Sequence, residues 1–174
     1  MYDLTELLIE YDRSRHYSDL LTLDLTTEEL NWRPDEHASA IAWHLGHQAH
    51  VAHFMLRNLT AAEPSPNGKI DRVMDSATPE PERDHLPTVT ELREFRSVVA
   101  DRVHDRVRAI EAGEVAAPQQ LRVVACHLLI TIINHEYQHD QWIAEVRANA
   151  LARPLPALPD SPNLTTANGY LMLA

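Results

Sequence analysis

A chain of 174 residues, 44% hydrophobic and 24% charged, has the size and composition of one globular domain able to bury a core, and its four glycines argue against a turn-rich all-β design. Its formal charge of −11 and pI near 5.4 speak against nucleic acid or an anionic membrane as partner, since either asks for a basic face. No apolar run approaches the roughly 20 residues that span a bilayer, the start Met1-Tyr2-Asp3-Leu4 lacks the pattern of a secretory signal, and the lone Cys126 suits a reducing cytoplasm.

Four long helices are expected in chain order. The first covers residues 3–23, with Leu4, Leu7, Leu8, Tyr11, Leu20 and Leu21 on its apolar face. It ends before Leu30-Asn31-Trp32-Arg33-Pro34, where proline forbids helix continuity. The second covers residues 38–59, with Asp35 or Ser39 as cap. Residues 60–87 hold five prolines and many charges, so they read as a long connection, functional or mobile. The third helix covers residues 88–111, capped by Thr88 or Thr90, with Leu92, Phe95, Val99, Val103 and Ile110 inward and Gly113 placed to end it. The fourth covers residues 119–150 and stops before Pro154; the tail from about residue 151, with four prolines, is expected to be irregular. The expected fold is all-α: a single domain over residues 1–174, an up-down four-helix bundle with one long connection between helices two and three.

Eleven histidines are the one unusual count. At roughly 100° per residue, Leu121, Ala125, Leu128, Ile132, Ile143, Val146 and Ala150 define the inner stripe of the fourth helix. His139 falls near its centre and His135 within about 40°. Two imidazoles one turn apart inside an apolar stripe point to a metal ion, because a buried polar group without a partner costs about 1–3 kcal/mol. The second helix carries His44, His47, His50 and His53 at spacing three, around a stripe of Ile41, Leu45, Ala49, Ala52 and Leu56. His44 lies at the flank, about 90° from the stripe centre, and is the expected third ligand. His53 flanks the opposite side as a possible alternative. His47 and His50 are expected to point mostly outward, with His47 near the pocket mouth. His16, His37, His85, His104 and His127 have no partner at ligand spacing. The expected metal set is therefore His44, His135 and His139. Three neutral imidazoles leave open coordination positions, which suits a catalytic centre, and zinc, nickel, cobalt or ferrous iron would all fit.

Three segments carry a family resemblance: Leu30-Asn31-Trp32-Arg33-Pro34, then Ile41-Ala42-Trp43-His44-Leu45-Gly46-His47, then His135-Glu136-Tyr137-Gln138-His139. With these the chain resembles the DinB-like metal-binding bundles, the DinB/maleylpyruvate-isomerase type, across essentially its whole length. The resemblance implies a metal triad of one histidine in the Trp-His-Leu segment plus the H-x-x-x-H pair, carried over as His44, His135 and His139. After His139 many members show Gly-Gln, whereas here Asp140-Gln141-Trp142 follows. That ending is similar to the N-terminal bundle domain of ergothioneine synthases, with Gln141 at a glutamate position. For a stand-alone bundle the resemblance implies a transferase or isomerase that uses a low-molecular-weight thiol (mycothiol, bacillithiol or glutathione) on a small electrophile.

Two other classes compete. His135-Glu136-x-x-His139 also satisfies the H-E-x-x-H pattern, in which Glu136 would be general base to a metal-bound water in a hydrolase of a small molecule. A zinc protease is disfavoured because no histidine follows His139, Glu145 stands too close, and Asp160 lies in the proline-rich tail. The remaining alternative is a non-catalytic metal-binding or stress-response module. Glu136, His47 and Gln141 are the residues placed nearest to catalysis. Tyr11 and Arg15 are candidates to orient an anionic substrate, though core and solvated roles respectively are the simpler readings. Cys126 lies about 140° off the inner stripe and is no expected nucleophile. A homodimer is expected.

Overall fold

The first helix, α1 (Leu4–Thr22), starts where Asp3 and Glu6 form a capping box: the Glu6 backbone N–H donates to the Asp3 carboxylate at 2.7 Å, and the Asp3 N–H to the Glu6 carboxylate at 3.0 Å. The computed structural model describes every residue of the chain except 1, 58, 60–62, 80–82 and 84. The face of α1 that buries Leu4, Leu7, Leu8, Tyr11 and Leu21 also buries Ser14, Ser18 and Thr22. Their hydroxyls all find acceptors, so no donor is stranded: Ser14 donates to Tyr11 O, Thr22 to Ser18 O, and Ser18 to the Asp140 carboxyl of a later helix at 2.7 Å.

A short α2 (Thr27–Asn31) follows, on a Thr26/Glu29 capping box, and tucks Leu30 into the core. The long α3 (Ile41–Leu56) buries every residue from Ile41 to Ala49. An amphipathic helix covered on one side only does not do this. The second cover is α4 (Gly68–Met74), whose first turn is closed by Asn67 accepting from Lys69 N and Ile70 N. The segment read as a long connection therefore contains a helix. Positions 58 and 60–62, where helix two was expected to run out and the connection to begin, and 80–82 and 84 within that connection lie outside the described residues. Gly46 is what admits α4 so closely, because a Cβ there would run into the Met74 sulfur and stand 2.9 Å from Leu92 Cδ2.

The third long helix, α5 (Val89–Glu111), begins at a Thr88/Glu91 capping box and ends with Gly113 at φ 73°, as expected from sequence. The longest, α6 (Pro118–Glu145), runs on into a π-helical turn (Val146–Ala150). There Arg147 is buried and ties chain segments together: it donates to Leu21 O and Pro154 O and forms a two-pronged pair with Asp24 at 2.6 and 3.0 Å. Among the long helices, α1 packs on α6 and α3 packs on both α5 and α6, while α1 and α5 meet along a shorter seam. Leu7, Leu21, Leu45, Leu92, Leu129 and Ile133 are wholly buried between them. Each such burial contributes about 1.5–3 kcal/mol.

The tail is irregular through residue 163 and then corrects the expectation. Leu164–Ala167 (β1) and Tyr170–Leu173 (β2) pair antiparallel about Asn168-Gly169, both at positive φ (53° and 86°), the backbone a two-residue hairpin turn requires. The hairpin packs on α6, where Leu173 N donates to Asn134 Oδ1 at 2.8 Å. The fold is thus all-α with one small hairpin. Among the described residues, no helix is long and apolar enough to cross a membrane.

Candidate metal centre

Three ring nitrogens, one each from His47, His135 and His139, lie within 4.8 Å of one another, a group able to hold a metal ion. His135 and His139 come together through their one-turn spacing on α6, with Nε2 atoms 3.1 Å apart. His47 comes from α3, where the angular arithmetic turned it toward solvent. It is only 7% exposed because α4 covers that face. Its Nδ1 sits 2.6 Å from Met74 O. A carbonyl can only accept, so Nδ1 carries the proton and the Nε2 lone pair of the neutral ring is free.

His44, the expected third donor, is not in this group. It lies on the other side of His139, with the two Nδ1 atoms 2.8 Å apart. If His139 donates from Nδ1 to His44, its Nε2 lone pair faces the cluster, the usual arrangement in which a neighbour fixes the tautomer of a ligating histidine. His50 pairs with Asp71 of α4 at 2.7 Å and anchors that helix. His53 is buried in a separate pocket with Leu56, Glu63, Val99, Arg102 and Arg106, and does not join the cluster.

Aromatic rings close the surroundings. Trp43 stacks on His47 at 4.4 Å between centroids and 13° between planes, held by its own Nε1–H to Val73 O. The Arg83 guanidinium lies 4.3 Å over the other ring system of this stack, that of Trp43. Trp142 stands edge-on to His139 at 4.8 Å and also borders His44. In this dry setting burial, reinforced by neighbouring imidazoles, brings His44, His47 and His135 down to about 4 and His139 lower still. All four rings are therefore neutral at pH 7, the form that binds a cation.

The residues placed nearest to catalysis separate. Glu136 does not face the histidines. It is 1% exposed in the bundle centre, with Oε2 at 3.7 Å from Arg96 Nη2 of α5. Gln141 lies outside, donating to Glu145 one turn along at 3.1 Å. Tyr11 is core, and Arg15 stands over its ring at the α1/α5 seam. Burial raises the Cys126 thiol, consistent with an inert side chain.

A polar layer that the sequence reading missed fills the bundle beside the histidines, with Gln48 at its hub. Gln48 Nε2 reaches Asp140 Oδ1 at 2.9 Å, Glu136 O at 3.0 Å and Ser18 Oγ at 3.2 Å, while its Oε1 accepts from Arg96 Nη1 at 2.7 Å. Arg96 also donates to Leu45 O at 2.9 Å, and Ser18 Oγ to Asp140 at 2.7 Å. All four long helices contribute. Burial, then the charge of Glu136, pushes the Asp140 carboxyl well above its ordinary range, and burial raises Glu136 against the pull of Arg96. The available signal was an arginine interrupting the inner stripe of α5 between Leu92, Phe95 and Val99.

Among curated proteins none matches this chain. The family model of the DinB superfamily matches residues 10–143, a span that holds all of α3 and the histidine pair of α6. On that match, which covers most of its length, the chain belongs to the DinB superfamily.

Proposed function

We propose that the protein holds one divalent metal ion through the Nε2 atoms of His47, His135 and His139, and uses it in a transferase or isomerase reaction between a low-molecular-weight thiol and a small electrophile. The observation that carries the metal is the convergence of three neutral imidazoles. The donor set fits: His47 Nδ1 already donates to Met74 O, His139 Nδ1 is turned to His44, and the buried Nδ1 of His135 has no hydrogen-bond partner among the described residues, so a tautomer with a free Nε2 lone pair is open to each ring. This reading replaces His44 by His47 as third ligand and gives His44 the role of holding the His139 ring. We read the four long helices as the up-down bundle that supports this seam.

Bound there, a divalent ion lowers the pKa of a protic ligand and makes a thiolate available near neutral pH. The chain's own residues exclude water around it with Trp43 and Trp142, and hold the ring tautomers. The rival hydrolase reading needs Glu136 as base, and its carboxylate is committed to the Arg96 side. Adding mycothiol, bacillithiol or glutathione to the Co(II)-loaded protein tests the thiol: a sulfur-to-cobalt charge-transfer band is expected with one of them. Silence with all three, together with metal-dependent cleavage of an ester or amide, would overturn this chemistry.

A further inference from the structure

The geometry points to a second ligand site, separate from the histidines: a cleft on the α1/α5 seam that takes a small oxyanion, a carboxylate or phosphate carried on a small molecule. The cleft, about 350 Å³, is lined by Arg15, Asp19, Leu23, Arg93, Arg96 and Ser97, a volume in the lower part of the range of small-molecule pockets. It lies between α1 and α5, which meet along a short seam.

Charge gives the cleft its meaning. The chain carries 26 acidic residues against 15 basic ones, yet three guanidiniums and one carboxylate surround this space. None of the three is hydrogen-bonded to a carboxylate among the described residues. Arg15 donates to the backbone oxygen of Arg96 at 3.3 Å and lies 5.6 Å from the Tyr11 ring centroid, so neutral groups hold its guanidinium in place. Arg93 is exposed and has no hydrogen bond or ion pair among the described residues. Arg96 is buried and ion-paired with Glu136 at 3.7 Å, but its Nε and Nη2 make no hydrogen bond among the described residues. Elsewhere Arg13, Arg147 and Arg153 each meet a carboxylate at 2.6–2.9 Å. A guanidinium presents paired N–H groups that match the two oxygens of a carboxylate or phosphate. Hydrogen bonds and the Tyr11 ring hold the Arg15 and Arg96 forks in place without a ligand, so binding has mainly the exposed Arg93 side chain left to order. The lining shares no residue with the histidine cluster, so the inference stands apart from the metal reading.

The test follows the arginine Nε–H signals of the full chain by proton–nitrogen NMR during titration with sodium phosphate and, separately, sodium acetate, against sodium chloride at matched ionic strength. Arg15→Gln and Arg93→Gln assign the signals. Arg93 is exposed, so its variant should fold as wild type does, and thermal melts check both. Expected are saturable shifts of Arg15 and Arg93 on one common curve, in metal-free and metal-loaded protein alike, with Arg13 unmoved. Each variant should weaken binding about tenfold or more. Saturation by phosphate alone assigns a phosphate-bearing ligand, and saturation by acetate as well admits a carboxylate. Shifts no larger than those in chloride, or unchanged affinity in both variants, would overturn the site.

Discussion

Three neighbouring pairs of residues, His47 and Gln48, His135 and Glu136, His139 and Asp140, divide between two regions of opposite chemistry. The first member of each pair faces the seam under α4, where three neutral imidazoles converge. The second faces the bundle centre, where amide, carboxylate and guanidinium partner one another across four helices. One residue step turns the helix by about 100°, enough to switch regions. The lesson is that a polar residue beside a candidate ligand need not serve the same site: the seam gathers nitrogen donors, and the layer ties the helices together.

Breaking the layer should show mainly in stability. Arg96→Met leaves Glu136 without its counter-charge and Gln48 and Leu45 O without a donor, which should cost about 3–5 kcal/mol in denaturant unfolding. Metal stoichiometry of the folded fraction should stay as in wild type. Breaking the seam should do the reverse. His135→Ala or His139→Ala should weaken metal affinity by about 100-fold or more, beyond the ~10–100-fold typical of a residue that only orients a ligand, as read by competition with a chelator. Stability of the metal-free protein should change little in His135→Ala, whereas His139→Ala also strands the buried Nδ1 of His44 and should cost about 1–3 kcal/mol.

Acid separates the regions further. His44, His47 and His135 have folded-state values near 4 against an ordinary 6.5. The stability they contribute is full above pH 6.5 and is lost as pH falls toward about 4, because the unfolded chain binds protons that the native rings refuse. The melting temperature of metal-free protein should therefore fall across that window, and metal loading should oppose the fall. The smallest effect is expected from His50→Ala, which removes the partly exposed bond from α3 to Asp71 and a loose ring contact to His47. A loss of about 1 kcal/mol with metal retained would match a role in seating α4.

The four long helices and the His135/His139 pair were legible because apolar spacing, capping residues and a one-turn repeat are local signals. The burial of His47 was not. Rotation about a helix axis says which residues leave the main stripe, and only α4 decides that the far face of α3 is covered too. That seven-residue helix, begun by Asn67-Gly68, is too short for periodicity to show. The polar layer was hidden similarly, since Gln48 gains meaning only from groups 30 to 92 positions away in the chain. The hairpin was within reach: Asn168-Gly169 between two short β-prone runs is a strong local sign, and four prolines upstream outweighed it.

The ligand exchange of His47 for His44 is the point on which the account turns. Elemental analysis of wild type, His47→Ala and His44→Ala, each purified metal-replete and dialysed, tests it most directly. One divalent ion per chain is predicted for wild type, almost none for His47→Ala, and a retained though more weakly held ion for His44→Ala. An empty wild type, or a His44→Ala protein that is empty while His47→Ala stays loaded, would contradict it.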